Sequence, residues 1–167
     1  MHENVFLGRI EVRPPLNEAE RDYLFDLAES NSTLRGTPTG RGDSSVPFAH
    51  LAWESCAAGC CLTWTGREWT RNMLSSLRFL VEHLLRPGAK ASGHRRFADF
   101  ACDHVLDGVV MGRRYDDEVL FVVEVSGNRV SGRALKNACD HTGDAPQQPG
   151  RSRPRPANVI EFRPRRA

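Results

Sequence analysis

No stretch of this 167-residue chain approaches the roughly 20 apolar residues that a membrane-spanning helix requires. The opening Met1-His2-Glu3-Asn4-Val5 lacks the basic-then-apolar layout of a signal peptide. Both absences point to a cytoplasmic protein that does not enter membranes. There is no glycine repeat of collagen type and no sustained heptad, and 40% hydrophobic with 26% charged residues argues against wholesale disorder. A Gly-x-Ser-x-Gly elbow, a Walker loop ending in Gly-Lys-Ser/Thr and an EF-hand spacing are all missing. The five cysteines, at 56, 60, 61, 102 and 139, are odd in number. In a reducing compartment they read as free thiols, with Cys60, Cys61 and Cys102 placed in apolar stretches as small buried hydrophobes.

What the chain does have is an uneven charge. Residues 136–167 carry 7 basic and 3 acidic side chains, leaving 16 basic and 18 acidic on residues 1–135. The periodic apolar signal also stops near Leu135, and Asp144 to Pro156 holds four prolines. That composition cannot bury enough apolar surface to offset the entropy of ordering. The expected organisation is a globular domain over 1–135 and a basic, Pro/Arg-rich disordered tail over 136–167.

Within the first part, Val5 to Arg13 alternates as a strand with Phe6, Gly8, Ile10 and Val12 on one face. Pro14-Pro15 ends it, and Asn17 with Glu20 forms a capping box for a helix whose stripe is Leu16, Tyr23, Leu24, Leu27 and Ala28. Ser30 to Pro47 reads as a long mobile loop. Phe48 to Ser55 and Cys60 to Thr65 read as a hairpin turning at Gly59. Thr65 with Glu68 forms a second capping box, with Trp64 and Trp69 spaced as a hydrophobic staple. The helix behind it carries Trp69, Met73, Leu77, Leu80 and Leu84 and stops at Pro87-Gly88. Asp107-Gly108 reads as a turn or bulge. Val109 to Arg113 and Val119 to Val125 read as a hairpin joined by Arg114 to Glu118, and Val130 opens a further short strand after Ser126 to Arg129. The fold class is α+β: an antiparallel or mixed sheet with two helices on one face, in the order β-α-β-β-α-β-β.

The run from Gly8 to Glu18, with its Pro14-Pro15-Leu16 step, resembles the opening of a family of small, uncharacterised bacterial and phage-borne α+β proteins. The likeness continues through Leu77 to Leu85, Leu106-Asp107-Gly108 and Gly127-Asn128-Arg129-Val130, so it spans most of residues 5–130. It implies a single folded domain and implies no activity, cofactor or functional residue.

Four candidate chemistries remain. Cys56 and Cys60, together with the repeated tripeptides Cys102-Asp103-His104 and Cys139-Asp140-His141, offer soft and borderline zinc ligands, although the spacings match no finger. Cys102, His104, Asp103 and Asp107 offer a nucleophile, base and acid, but neighbours on one strand stand parallel and do not converge. The loop Gly36 to Ser45 is rich in backbone donors for an anion, yet leads into more loop and not into a helix. Asp116, Asp117 and Glu118 fall in a turn, where solvated carboxylates are ordinary. No catalytic residue, metal ligand or cofactor is assigned from these patterns.

The basic end is the strongest signal. Arg151, Arg153 and Arg155 alternate with serine and proline, and a small apolar anchor ending in Phe162 precedes Arg163, Arg165 and Arg166. Guanidinium groups pair bidentately with phosphate or carboxylate. The expected function is a non-enzymatic binding or accessory module whose arginines contact nucleic acid or an acidic protein partner. The alternative is a small enzyme or zinc-binding protein built on residues 102–107.

Overall fold

The computed structural model describes residues 5–113 and 119–135. Nine residues of alternating character make β1 (Val5–Arg13), whose apolar side puts Ile10 and Val12 at zero exposure. Pro14, which has no N–H for a ladder, ends it. Helix α1 (Glu18–Glu29) then starts on the anticipated box: Asn17 Oδ1 accepts from Glu20 N and Glu20 Oε2 accepts from Asn17 N, both at 2.9 Å. Leu24 and Leu27 are its buried stripe.

Residues 30–47 are tied down, contrary to the sequence expectation of a mobile loop. A 3₁₀ turn at Leu34–Gly36 buries Leu34, and Thr37 Oγ1 donates to Leu34 O while accepting from Gly40 N. Arg35 binds Val46 O through both Nε and Nη2, and Val46 is buried. The loop is held by polar side chains bonding local backbone, a pattern that apolar periodicity does not report.

The first hairpin, β2 (Trp53–Ser55) and β3 (Cys61–Trp64), is shorter than the alternation suggested. Gly59 takes φ +71° at its turn, and a Cβ there would sit 2.6 Å from Leu16 O. The second capping box does not form. Glu68 instead accepts from Trp69 N, His50 N and Asn72 Nδ2, while Thr65 Oγ1 donates to Ala52 O. Trp69 is exposed, and Trp64 packs edge-on against Phe6 and Trp53 instead of against Trp69. The helix therefore starts later: a 3₁₀ turn at Thr70–Asn72 leads into α2 (Met73–Phe79), which widens into a π-helical turn at Leu80–Leu85.

Three long strands complete the domain: β4 (Val105–Arg113), β5 (Leu120–Ser126) and β6 (Arg129–Leu135). Asp107-Gly108 is no turn but lies inside β4, where Gly108 (φ +144°) leaves room for Arg9 O of the neighbouring strand. Gly127-Asn128, both at positive φ, form the two-residue turn between β5 and β6. The connection at 114–118 lies outside the described residues, as do residues 136–167.

All six strands form one antiparallel sheet in the order β2-β3-β1-β4-β5-β6. The fold is α+β with two helices, as the patterns indicate, but the order gains a sixth strand at the end, seven residues long. Ile10, Val12, Leu106, Val110, Val123 and Val125 from one sheet face join Leu24, Leu27, Met73, Leu77, Leu80 and Leu84 in one core. No described helix is long and apolar enough to cross a membrane.

Candidate functional site

The set suggested at residues 102–107 is dispersed by the fold. Cys102, at φ +47°, is buried and its thiol donates to Leu84 O at 3.3 Å. Asp107 faces the other side of the sheet and accepts from Gly127 N. His104 is fully buried between two acceptors: Nδ1 lies 2.7 Å from Pro14 O and Nε2 lies 2.9 Å from Glu20 Oε2. A carbonyl and a carboxylate both only accept, so both ring nitrogens carry hydrogens and His104 is an imidazolium. Burial pulls its pKa down, but the Glu20 hydrogen bond, the Pro14 carbonyl and the Glu20 charge together raise it above the ordinary value. Burial likewise opposes ionisation of Glu20, and the His104 bond, the Asn17 and Ala101 N–H groups and the imidazolium charge hold it below the usual carboxylate range. Glu20 Oε1 accepts from Ala101 N at 2.8 Å, and Asn128 clasps the strand beyond by donating to His104 O and accepting from Leu106 N. Every acceptor and donor in this cluster is used internally. It clamps α1 to the entry of β4 and leaves no group for a substrate. The sequence showed Glu20 only as a cap, because its second partner is remote along the chain.

The glycine-rich loop is not an anion cradle either. Asp43 takes the N–H and Oγ–H of Ser45, contacts Lys90 Nζ, and lies 3.4 Å from Nε2 of the buried His83. Burial, then the Lys90 charge, lower the pKa of His83 against the opposing pull of Asp43. The imidazole is therefore neutral at pH 7.

The hairpin turn gathers three thiols. Cys56 follows β2, Cys60 precedes β3 and Cys61 opens it, and their Sγ atoms all lie within 4.8 Å of one another, with Cys56 and Cys60 at 3.5 Å. The turn is drawn together by Gly59 N donating to Cys56 O and Cys56 N donating to Cys61 O. Cys60 is exposed, which corrects its assignment as a buried hydrophobe; Cys61 and Cys102 are buried. Burial opposes ionisation of Cys56, but hydrogen bonds from the Cys61 and Cys60 thiols and backbone N–H groups bring it down to about 6. Burial and the neighbouring sulfurs push Cys61 up to about 11, against the pull of Arg9. Cys102 and His104 do not join this cluster, and Cys139 and His141 lie outside the described residues, so the four-ligand zinc set suggested by spacing is not assembled among the described residues.

The remaining feature is the sheet face turned away from the core. Register places Val5, Leu7, Arg9, Glu11 and Arg13 of β1 beside Arg113, Met111, Val109, Asp107 and Val105 of β4. The same face continues through Glu124 and Leu120 of β5 to Ser131, Arg133 and Leu135 of β6. Of the nine exposed large hydrophobics, six lie on it: Val5, Leu7, Val105, Val109, Met111 and Leu135, with Leu7 the most exposed at 63%. Arg9, Arg13, Arg113, Arg129 and Arg133 outnumber Glu11, Asp107 and Glu124. Among the described residues no aromatic ring stands on it, since Phe6 and Phe121 alternate to the opposite side. The residues singled out in the basic segment (Arg151, Arg153, Arg155, Phe162, Arg163, Arg165 and Arg166), and the acids at 116–118, lie outside the described residues. No protein-family model, curated protein or solved structure matches this chain.

Proposed function

We propose that this chain is a non-enzymatic binding module. Its open sheet face takes a protein partner that presents an apolar strip edged by carboxylates, and the arginines between 151 and 166 add salt-sensitive attraction. The observation that carries this reading is the concentration of exposed aliphatic side chains on one sheet face with a surplus of arginine around them. Contiguous apolar surface of this kind is how soluble domains hold protein partners. A nucleic-acid reading finds less support, because sheet faces that read single strands stack bases on aromatic rings, and the described residues of this face include none. Dispersal of Cys102, His104 and Asp107 gives the alternative built on residues 102–107 less support.

The test uses the full chain and three probes: an acidic peptide of alternating leucine and glutamate, an arbitrary DNA duplex and an arbitrary single-stranded RNA. Leu7→Glu with Met111→Glu, opposite each other in register, should abolish peptide binding with thermal unfolding nearly unchanged. Replacing Arg151, Arg153, Arg155, Arg163, Arg165 and Arg166 by glutamine should weaken it mainly at low salt. Duplex or RNA binding that survives the sheet-face variant and vanishes in the glutamine variant would overturn the proposal in favour of nucleic acid.

A further inference from the structure

We propose that Cys56, Cys60 and Cys61 form a three-sulfur site for a soft, thiophilic metal ion, Cu(I) by coordination number. The site is independent of the sheet-face reading. Three sulfurs bound to one ion at about 2.3 Å stand about 3.8–4.0 Å apart, from tetrahedral to trigonal arrangement. The thiols are already gathered on that scale, with Cys56 and Cys60 at 3.5 Å and all three within 4.8 Å.

The backbone that carries them is held by bonds that do not involve sulfur. Leu16 N donates to Gly59 O at 3.0 Å, Val12 N donates to Cys60 O at 2.8 Å, and Arg21 Nη1 donates to Ala57 O. Gly59 packs against Leu16 so closely that no side chain fits. The loop is thus preorganised by β1 and the start of α1. That lowers the entropy that ligands recruited from a floppy segment would lose on binding.

The donor set selects the ion. Among the described residues no histidine or carboxylate joins the three sulfurs. Hard cations, which take oxygen ligands, are therefore excluded, and thiolate selects Cu(I) and Zn(II). Structural zinc sites are closed by four protein ligands; three sulfurs satisfy a low-coordinate monovalent ion without a fourth. Three thiolates around one Cu(I) leave two negative charges. Arg21 sits against the loop, donating to Ala57 O, with its Nε buried and unpartnered. Its guanidinium supplies outer-sphere countercharge.

The experiment takes the reduced full-length chain, without oxygen, and titrates it with Cu(I) in competition with a chromophoric Cu(I) chelator, with Zn(II) in a parallel arm. One Cu(I) per chain should be retained, with thiolate-to-copper charge-transfer absorption and three sulfur neighbours by X-ray absorption. Cys60→Ser, at an exposed position, and Cys56→Ser should each weaken binding by more than the roughly 10–100-fold that loss of an outer-shell partner costs. Cys139→Ser should leave it unchanged, and circular dichroism checks that each variant is folded. Retention of copper by the folded Cys56→Ser/Cys60→Ser double variant, failure of the parent chain to hold copper against the chelator, or Zn(II) that Cu(I) does not displace would each overturn the assignment.

Discussion

Glu20→Ala tests the buried clamp most directly. The substitution removes the only carboxylate partner of His104 Nε2 and the acceptor of Ala101 N, and it dissolves half of the capping box at Asn17. Removing one member of a buried ion pair leaves the other desolvated and costs about 3–5 kcal/mol. At about 3–5 °C per kcal/mol for a domain of this size, the midpoint of thermal unfolding should fall by roughly 10–20 °C. Urea unfolding measured against pH adds a signature that mere cavity formation lacks. The folded pKa of His104 is raised above 6.5, so its contribution is complete below that value and fades as pH rises through the folded pKa. The folded pKa of Glu20 is lowered below 4.5, so its contribution is present above that value and is lost as pH falls through the folded pKa. The pair is fully effective between these limits. In Glu20→Ala the Pro14 carbonyl and the Asp103 charge still oppose burial at His104, but the strongest partner of the imidazolium is gone, so the variant should lose less stability than the parent as pH rises above about 6.5. A double-mutant cycle with His104→Ala should return a coupling energy of about 2 kcal/mol or more. Coupling under about 0.5 kcal/mol, with parallel pH profiles for parent and variant, would refute the imidazolium–carboxylate assignment.

Three further outcomes follow from single contacts. Gly59→Ala places a Cβ 2.6 Å from Leu16 O at φ +71° and should cost about 1–3 kcal/mol in chemical denaturation, with the thiol loop reacting faster with a thiol-specific dye. Trp53→Phe removes the indole N–H that Met73 O and Ser76 Oγ share, and should cost about 1–3 kcal/mol in the same assay. Gly112→Ala meets the Phe6 ring at 2.3 Å and should destabilise by about 1–3 kcal/mol, with a shift in Trp64 fluorescence because Phe6 packs on Trp64.

Local patterning revealed what local forces decide. The limits of β1, the cap of α1 and the Gly59 and Gly127-Asn128 turns follow from alternation, side-chain capping and positive φ, each readable within a few residues. The start of α2 did not, because Glu68 had three donors to choose from and bonded His50, Trp69 and Asn72 in place of closing a box with Thr65. Loop 30–47 reads as mobile because its ties, Thr37 and Arg35 on backbone carbonyls and the isolated buried Leu34 and Val46, carry no apolar periodicity. At the site level the cysteine spacing drew attention to Cys56 and Cys60, but their neighbour Cys61 was set aside as core; only the closed turn brings its sulfur to the other two. The open sheet face was half visible in the alternation of β1. Its extent depended on how β4, β5 and β6 fall into register, and no short window of sequence contains that.

The placement of β1 also bears on how the chain is made. This strand lies in the middle of the sheet, yet Val5 pairs with Arg113 and Arg13 with Val105. A ribosome delivers β1 early and its long neighbour β4 roughly a hundred residues later, at about 5–20 residues per second. For those seconds one edge of β1 waits without its hydrogen-bonded neighbour, and the clamp through Glu20 has no histidine to close on. Topologies that join distant segments fold slowly and expose sticky intermediates. The central edge of this sheet is therefore the last part of the fold that synthesis allows to close.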